Sequence, residues 1–211
     1  MNTRRTVNKE KRISFLFIII IILSTPNCNQ ENILQNGDIV FQDLNSEYGK
    51  AIKIATHSEY DHVGIIYIEK NKIYVFEAIG PVKLTPFNEW IGRAKNNYYV
   101  VKRLKNSKNY LTPDVLIKMK NVGTCFDGKP YDIYYAWSDD SLYCSELVWK
   151  IYKRGAGIEL CKPRKLKDYN INDPYVKKYL EKKYGKNIPL EEYMVAPQDI
   201  FDSEKLITLI D

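Results

Sequence analysis

A carboxylate sits in the middle of a strand that otherwise reads as buried on both faces. The run Tyr74-Val75-Phe76-Glu77-Ala78-Ile79 is apolar at both parities around Glu77. A carboxylate buried without a partner costs on the order of several kcal/mol, so the fold must supply one. Two answers are open. One is any of the many lysines and tyrosines; the other is His62. Val63 to Ile68 and Ile73 to Ala78 read as a hairpin turning at Glu69-Lys70-Asn71-Lys72. If the turn centres near Lys70, position 62 falls opposite position 77 or within two residues of it. In an unbulged pair of odd register both side chains then share one face.

The chain has two histidines. His57 lies at the end of a helix among Thr56, Ser58 and Glu59, and reads as exposed. His62 directly precedes a strand and is followed by Gly64, which leaves room beside the ring. The third polar group of interest is Cys144, in Asp139-Asp140-Ser141-Leu142-Tyr143-Cys144-Ser145-Glu146-Leu147-Val148. A helix is predicted from Ser141 to Arg154, capped by Asp139, Asp140 or Ser141 and closed by Gly155 and Gly157. Cys144 then lies in its first turn or two, where the helix dipole favours a negative sulfur by about 0.3–1 kcal/mol. An imidazolium partner must supply the rest of a stable thiolate. The competing reading is packing, because Cys144, Leu147, Val148 and Ile151 fall on one helical face. For His62 too, a structural role stays open.

Around these residues the pattern is α+β. Gly37 to Phe41 reads as a strand, and Ser46 to Thr56 as a helix capped by Ser46 with Ile52 and Ala55 inward. Tyr98 to Leu104 reads as another strand. Thr112-Pro113-Asp114 opens a helix with Val115, Leu116, Met119 and Val122 at helical spacing. Asp173-Pro174 opens a further helix ending at Gly185. Pro197 to Phe201 reads as a helical turn and Leu206 to Ile210 as a terminal strand. Strands come early and helices late, which argues against a doubly wound sheet.

The N-terminus reads as a targeting segment. Arg4, Arg5, Lys9, Lys11 and Arg12 precede the apolar run Phe15 to Leu23, which is of signal-peptide length. The run ends at Ser24-Thr25-Pro26-Asn27-Cys28, where a cysteine follows as in a bacterial lipoprotein signal. Thr25 and Asn27 stand where the usual box has Leu and a small residue. Ordinary cleavage near Thr25 and an uncleaved anchor are the alternatives. Residues 1–27 are thus expected to be a signal peptide and 28–211 one domain, with Cys28 the lipidation site. Losing residues 1–27 removes five basic residues and one acid, lowering the formal charge from +6 to +2. The remaining excess lies in Lys162 to Lys186, nine basic residues against Asp168, Asp173 and Glu181. It reads either as a solvated helical face or as a surface for an anionic envelope. Export argues against nucleic acid. Cys125 and Cys161 could pair, leaving Cys144 free. No Cys-x-x-Cys or His-x-x-x-His spacing supports a metal site, and no cofactor is expected.

The order Gly37-Asp38-Ile39-Val40, His62-Val63-Gly64-Ile65, Phe76-Glu77-Ala78, Tyr131-Asp132, Tyr143-Cys144-Ser145-Glu146-Leu147 and Ala196-Pro197-Gln198-Asp199-Ile200 resembles the circularly permuted NlpC-type papain-like proteins, the YiiX-like group in particular. In that group the histidine strand precedes the cysteine helix, as here. The resemblance covers nearly the whole chain after the targeting segment. It implies a permuted papain-like fold, an antiparallel sheet or partial barrel packed against helices. It implies Cys144 as nucleophile, His62 as base and Glu77 as its orienter, acting through a thioester. The oxyanion would be held by the Cys144 N–H with Tyr143 or Tyr131, both also candidates for substrate binding. Cys125 and Cys161 map to no family role. Three functions follow as expectations: an envelope cysteine amidase or peptidase acting on cell-wall peptide amides, a lipid-directed acyl hydrolase or acyltransferase, or a ligand-binding lipoprotein without turnover. The expected location is the bacterial cell envelope, with the membrane reached through a lipid anchor.

Overall fold

The computed structural model describes residues 33–211. The targeting segment and Cys28 lie outside the described residues. Six strands form one antiparallel sheet in the order β4-β3-β2-β1-β5-β8. They are β1 (Ile39–Gln42), β2 (His62–Glu69), β3 (Lys72–Ala78), β4 (Val82–Pro86), β5 (Tyr99–Leu104) and β8 (Leu206–Ile210). A two-stranded ribbon pairs β6 (Arg164–Lys165) with β7 (Tyr193–Met194). The helices are α1 (Glu47–Thr56), α2 (Phe87–Gly92), α3 (Ser107–Tyr110), α4 (Pro113–Phe126), α5 (Cys144–Ile151), α6 (Pro174–Tyr184) and α7 (Pro197–Phe201).

Strand alternation sends side chains to two cores. Ile39, Phe41, Val63, Ile65 and Phe76 meet Met119 of α4 and Leu147, Val148 and Ile151 of α5 on one face. Val40, Ile66, Val75 and Val101 meet Phe87 and Trp90 of α2 on the other. This is why β1 is buried at every position. A third apolar cluster joins Val176 and Leu180 of α6 to Ile54 and Ala55 of α1 and to Leu166 and Met194.

The hairpin register is the one the sequence implies. Ile65 pairs with Phe76 and Glu69 with Lys72, so Lys70 and Asn71 form a two-residue turn. Both have positive φ (49° and 61°), as a type I′ turn requires. Gly64 stands opposite Glu77 in this register. A Cβ there would come within 2.3 Å of Val75 Cγ1, so the glycine makes room for the Val75 side chain beside Glu77.

Two points of the sequence reading are corrected. The helix that carries Cys144 begins at Cys144, not Ser141; Tyr143 is its cap residue and gives no side-chain cap. The reason is upstream: Leu142 is bonded to the 130–132 segment, with its N–H on the Pro130 carbonyl and its carbonyl accepting from Asp132 N–H. Its backbone therefore cannot enter the helix. Strand β4 and helix α2, absent from the sequence reading, fill 82–92. In α1 the Ser46 cap is present, and Ile52 and Ala55 face inward, half-buried beside the buried Gly49 and Ala51.

After α5 the chain widens into a π-helical turn, Tyr152–Ala156. There Gly155 lies flush on α4: an added Cβ would sit 2.5 Å from Met119 Cα. Backbone cannot yield as a flexible side chain can. Gly155→Ala is expected to lower unfolding stability by about 1–3 kcal/mol, read from the midpoint of urea denaturation. An unchanged midpoint would contradict this packing.

Candidate active site

His62 opens β2 and Glu77 lies near the end of β3, on the same face of the sheet. His62 Nε2 is 2.5 Å from Glu77 Oε2, and both side chains are buried, at 3% and 0% exposure. The other carboxylate oxygen, Oε1, accepts from Thr85 Oγ1 at 2.5 Å and from the Arg93 guanidinium. Burial alone would push Glu77 toward its neutral form. The bond to His62, the Thr85 hydroxyl and the charges of His62 and Arg93 outweigh it and hold the pKa below its ordinary value. Glu77 is therefore ionised at neutral pH.

Cys144 is the first residue of α5, 4% exposed. Its thiol meets the His62 ring. With Nε2 directed at Glu77, Nδ1 is the nitrogen left for sulfur. Burial opposes charge on the imidazole, but the contacts with Cys144 and Glu77 prevail and push its pKa up to about 9.

The residues flanking Cys144 are clamps. Tyr143 Oη accepts from the Val195 N–H at 3.2 Å, and Ser145 Oγ donates to the Val195 carbonyl at 2.6 Å. Both backbone groups of one residue are thus held from either side of Cys144. The adjoining motif is secured in the same way: Asp199 accepts the Ala196 N–H and the Tyr169 hydroxyl. Two residues beyond Cys144, the fully buried Glu146 is paired with Lys150 at 2.7 Å. Burial, offset in part by Lys150, raises the Glu146 pKa to about 7.

Beside Cys144 opens an apolar pocket. Its walls include Ala51, Ile52 and Ala55 of α1, Val176 and Leu180 of α6, and the strap Met194 to Pro197. A second cleft lies on the His62 side and is lined by Ser46, Tyr48, Asp61 and Ile133. Tyr131 lines both. It is held there by the bridge between Tyr131 and Leu142, two residues before Cys144. Tyr143 lines only the first, and its hydroxyl is committed to Val195.

His57 is exposed, as its surroundings imply. Cys125 and Cys161 are both free thiols, so the pairing considered for them is not formed; burial pushes the Cys161 thiol up to about 12. Sequence reasoning missed Thr85, Arg93, and the Ser145 and Val195 clamp. Thr85 has no clear signal, since it shares the strand parity of Lys83 in Val82-Lys83-Leu84-Thr85-Pro86. Arg93 has none, since an arginine after a short helix reads as solvated.

The clamp has a measurable signature. Ser145→Ala leaves a buried carbonyl unpaired and Tyr143→Phe leaves an N–H unpaired, so each is expected to cost about 1–3 kcal/mol in urea denaturation. Because both hold Val195, the double variant should depart from additivity by about 0.5 kcal/mol or more. Strict additivity would contradict a shared clamp.

Residues 33–210 match the family described as permuted papain-like amidase enzyme, YaeF/YiiX, C92 family. The chain is 42% identical over 194 residues to the uncharacterized protein YiiX of Escherichia coli strain K12, covering 92% of this chain and 94% of that one. It is also similar to a crystal structure described as metalloprotein YiiX from Escherichia coli O157:H7. The TM-score is 0.80 at 44% identity, over 84% of this chain and 97% of the other. The family match spans the sheet, the histidine strand and the cysteine helix, and the chain belongs to the permuted papain-like amidase family.

Proposed function

We propose that the protein is a cysteine amidase of the cell envelope that works through Cys144, His62 and Glu77. The observation that carries this reading is the buried relay itself: an ionised Glu77 on Nε2 of a ring that also meets the Cys144 thiol. The thiolate attacks the amide carbonyl carbon, and the carbonyl electrons move to oxygen. Cys144 is the first helical residue, so its N–H has no carbonyl partner within the helix and is free to donate to that oxyanion. The Tyr131 hydroxyl, at the junction of the two cavities, is the second donor. The imidazolium then passes its proton to the leaving nitrogen as the C–N bond breaks. A thioester remains on Cys144. His62, now neutral, takes a proton from water, and hydroxide attack releases the acid and restores the thiolate. Glu77 keeps the ring in one orientation throughout, and Thr85 and Arg93 keep Glu77 ionised.

A second reading, hydrolysis or transfer of a lipid acyl group, rests on the cavity. Its walls beside the nucleophile are aliphatic and aromatic, and they fit an apolar acyl part better than a polar wall peptide. The cleft on the His62 side would take the leaving group. Anchoring through Cys28 belongs to the same proposal and accounts for the basic and apolar N-terminus. The YiiX structure is described as that of a metalloprotein. Among the described residues of this chain, no group of three or more His, Cys, Asp or Glu side chains is placed to hold a metal ion. Each step above is carried by the side chains named.

The test is turnover of a panel of amides, from wall peptides to long-chain acyl amides, by the full chain. Cys144→Ala and His62→Ala are expected to lower kcat/KM by at least about 100-fold while the circular dichroism spectrum is kept. Activity retained in either variant would remove the mechanism. The pH dependence has a definite sign. His62 must be protonated to serve the leaving group, and its pKa is about 9. Hence kcat/KM should hold near neutrality and fall as pH rises through about 9. An alkaline limb near the ordinary histidine value of about 6.5 would contradict the pairing.

A further inference from the structure

The basic stretch at 162–186 is not one surface. Lys165 and Lys167 are both paired with Glu191, and Arg164 with Asp199. Among the described residues Lys178 and Lys182 have no carboxylate partner. Tyr175, Lys178, Tyr179 and Lys182 are spaced three and four apart and share one flank of α6. That flank meets the start of α1: Tyr48 packs edge-on against Tyr179, and Lys50 Nζ lies 4.5 Å over the Tyr175 ring. Tyr48 and Ile133 line the cleft on the His62 side, and Tyr134 packs on Tyr184 of α6. Three of these apolar groups are well exposed: Tyr48 at 62%, Ile133 at 56% and Tyr134 at 55%. Exposed aromatic and branched side chains, with lysines that have no carboxylate partner between them, thus lie beside the two cavities. Glu47 on α1 and Glu181, three residues beyond Lys178 on α6, are the acids near them, and Asp173 is committed to capping α6.

We infer that this rim is a docking surface for an anionic lipid bilayer, which it meets with the cavity mouth facing the membrane. Tyrosine rings suit the boundary between headgroups and acyl chains, and lysines suit anionic headgroups. The charge complementarity commits the surface to lipid: the lysines are exposed, have no carboxylate partner and have apolar groups interleaved, as interfacial binding requires. This is independent of the amide chemistry and of the N-terminal anchor, since a tether alone fixes no face.

The test is lysine footprinting of the full chain with a water-soluble acetylating reagent, read by mass spectrometry. Phosphatidylglycerol vesicles should slow labelling of Lys50, Lys178 and Lys182 at least about fivefold, and 0.5 M salt should restore it. Lys108, exposed on α3 outside the rim, is the reference. Phosphatidylcholine vesicles should give little protection. In K178E/K182E, the protection of Lys50 should be lost while amide turnover in free solution is kept. Unchanged labelling with anionic vesicles would overturn the proposal. So would equal protection of Lys108, which a tether alone would give, or protection of Lys50 that survives in K178E/K182E.

Discussion

A carboxylate at a fully buried point of a sheet is unfavourable unless its charge is met, and at Glu77 three side chains meet it. Each comes from a different element: His62 from β2, Thr85 from β4, Arg93 from the end of α2. The hairpin register, the edge strand and the short helix on that face are therefore tied to one functional group. Gly64 belongs to the same constraint, because a side chain there would enter the space around Val75 and Glu77. In return the ionised carboxylate favours a protonated His62, whose ring also meets the Cys144 thiol.

The second support is on the cysteine side. Helix α5 is buried along its length, and its first turn is fixed by neighbours rather than by a side-chain cap. Leu142 is held to the 130–132 segment, and Tyr143 and Ser145 hold Val195. This places three walls around the sulfur: Tyr131, the 194–197 strap and α1. The motifs that stand apart in the sequence, Tyr131-Asp132, Tyr143 to Glu146 and Ala196 to Asp199, are thus parts of one enclosure.

Much of this was legible in the sequence, for physical reasons. Alternation and a tight turn set the hairpin register, so the proximity of His62 and Glu77 followed from counting. Helical spacing and caps marked α1, α4 and α6. What the sequence did not reveal depends on tertiary contact. The short run Val82 to Pro86 carries a proline and no regular alternation of apolar and polar residues, and becomes a strand only because β3 is beside it. Asp139 and Ser141 look like helix caps, but Asp139 is drawn to Lys150 and Arg154, and Leu142 to the 130–132 segment. Arg93 is invisible as a partner of Glu77 until α2 is folded onto the sheet.

The central claim is that Cys144 and Glu77 together keep His62 protonated, and its most direct test is an NMR titration of the imidazole. With two histidines in the chain and His57 exposed, the two ring signals are readily separated. The His62 signal should titrate at about 9 in the wild type and at a clearly lower pH in Cys144→Ala. A His62 ring that titrates at or below about 6.5, unmoved by Cys144→Ala, would contradict the ion pair and the mechanism built on it.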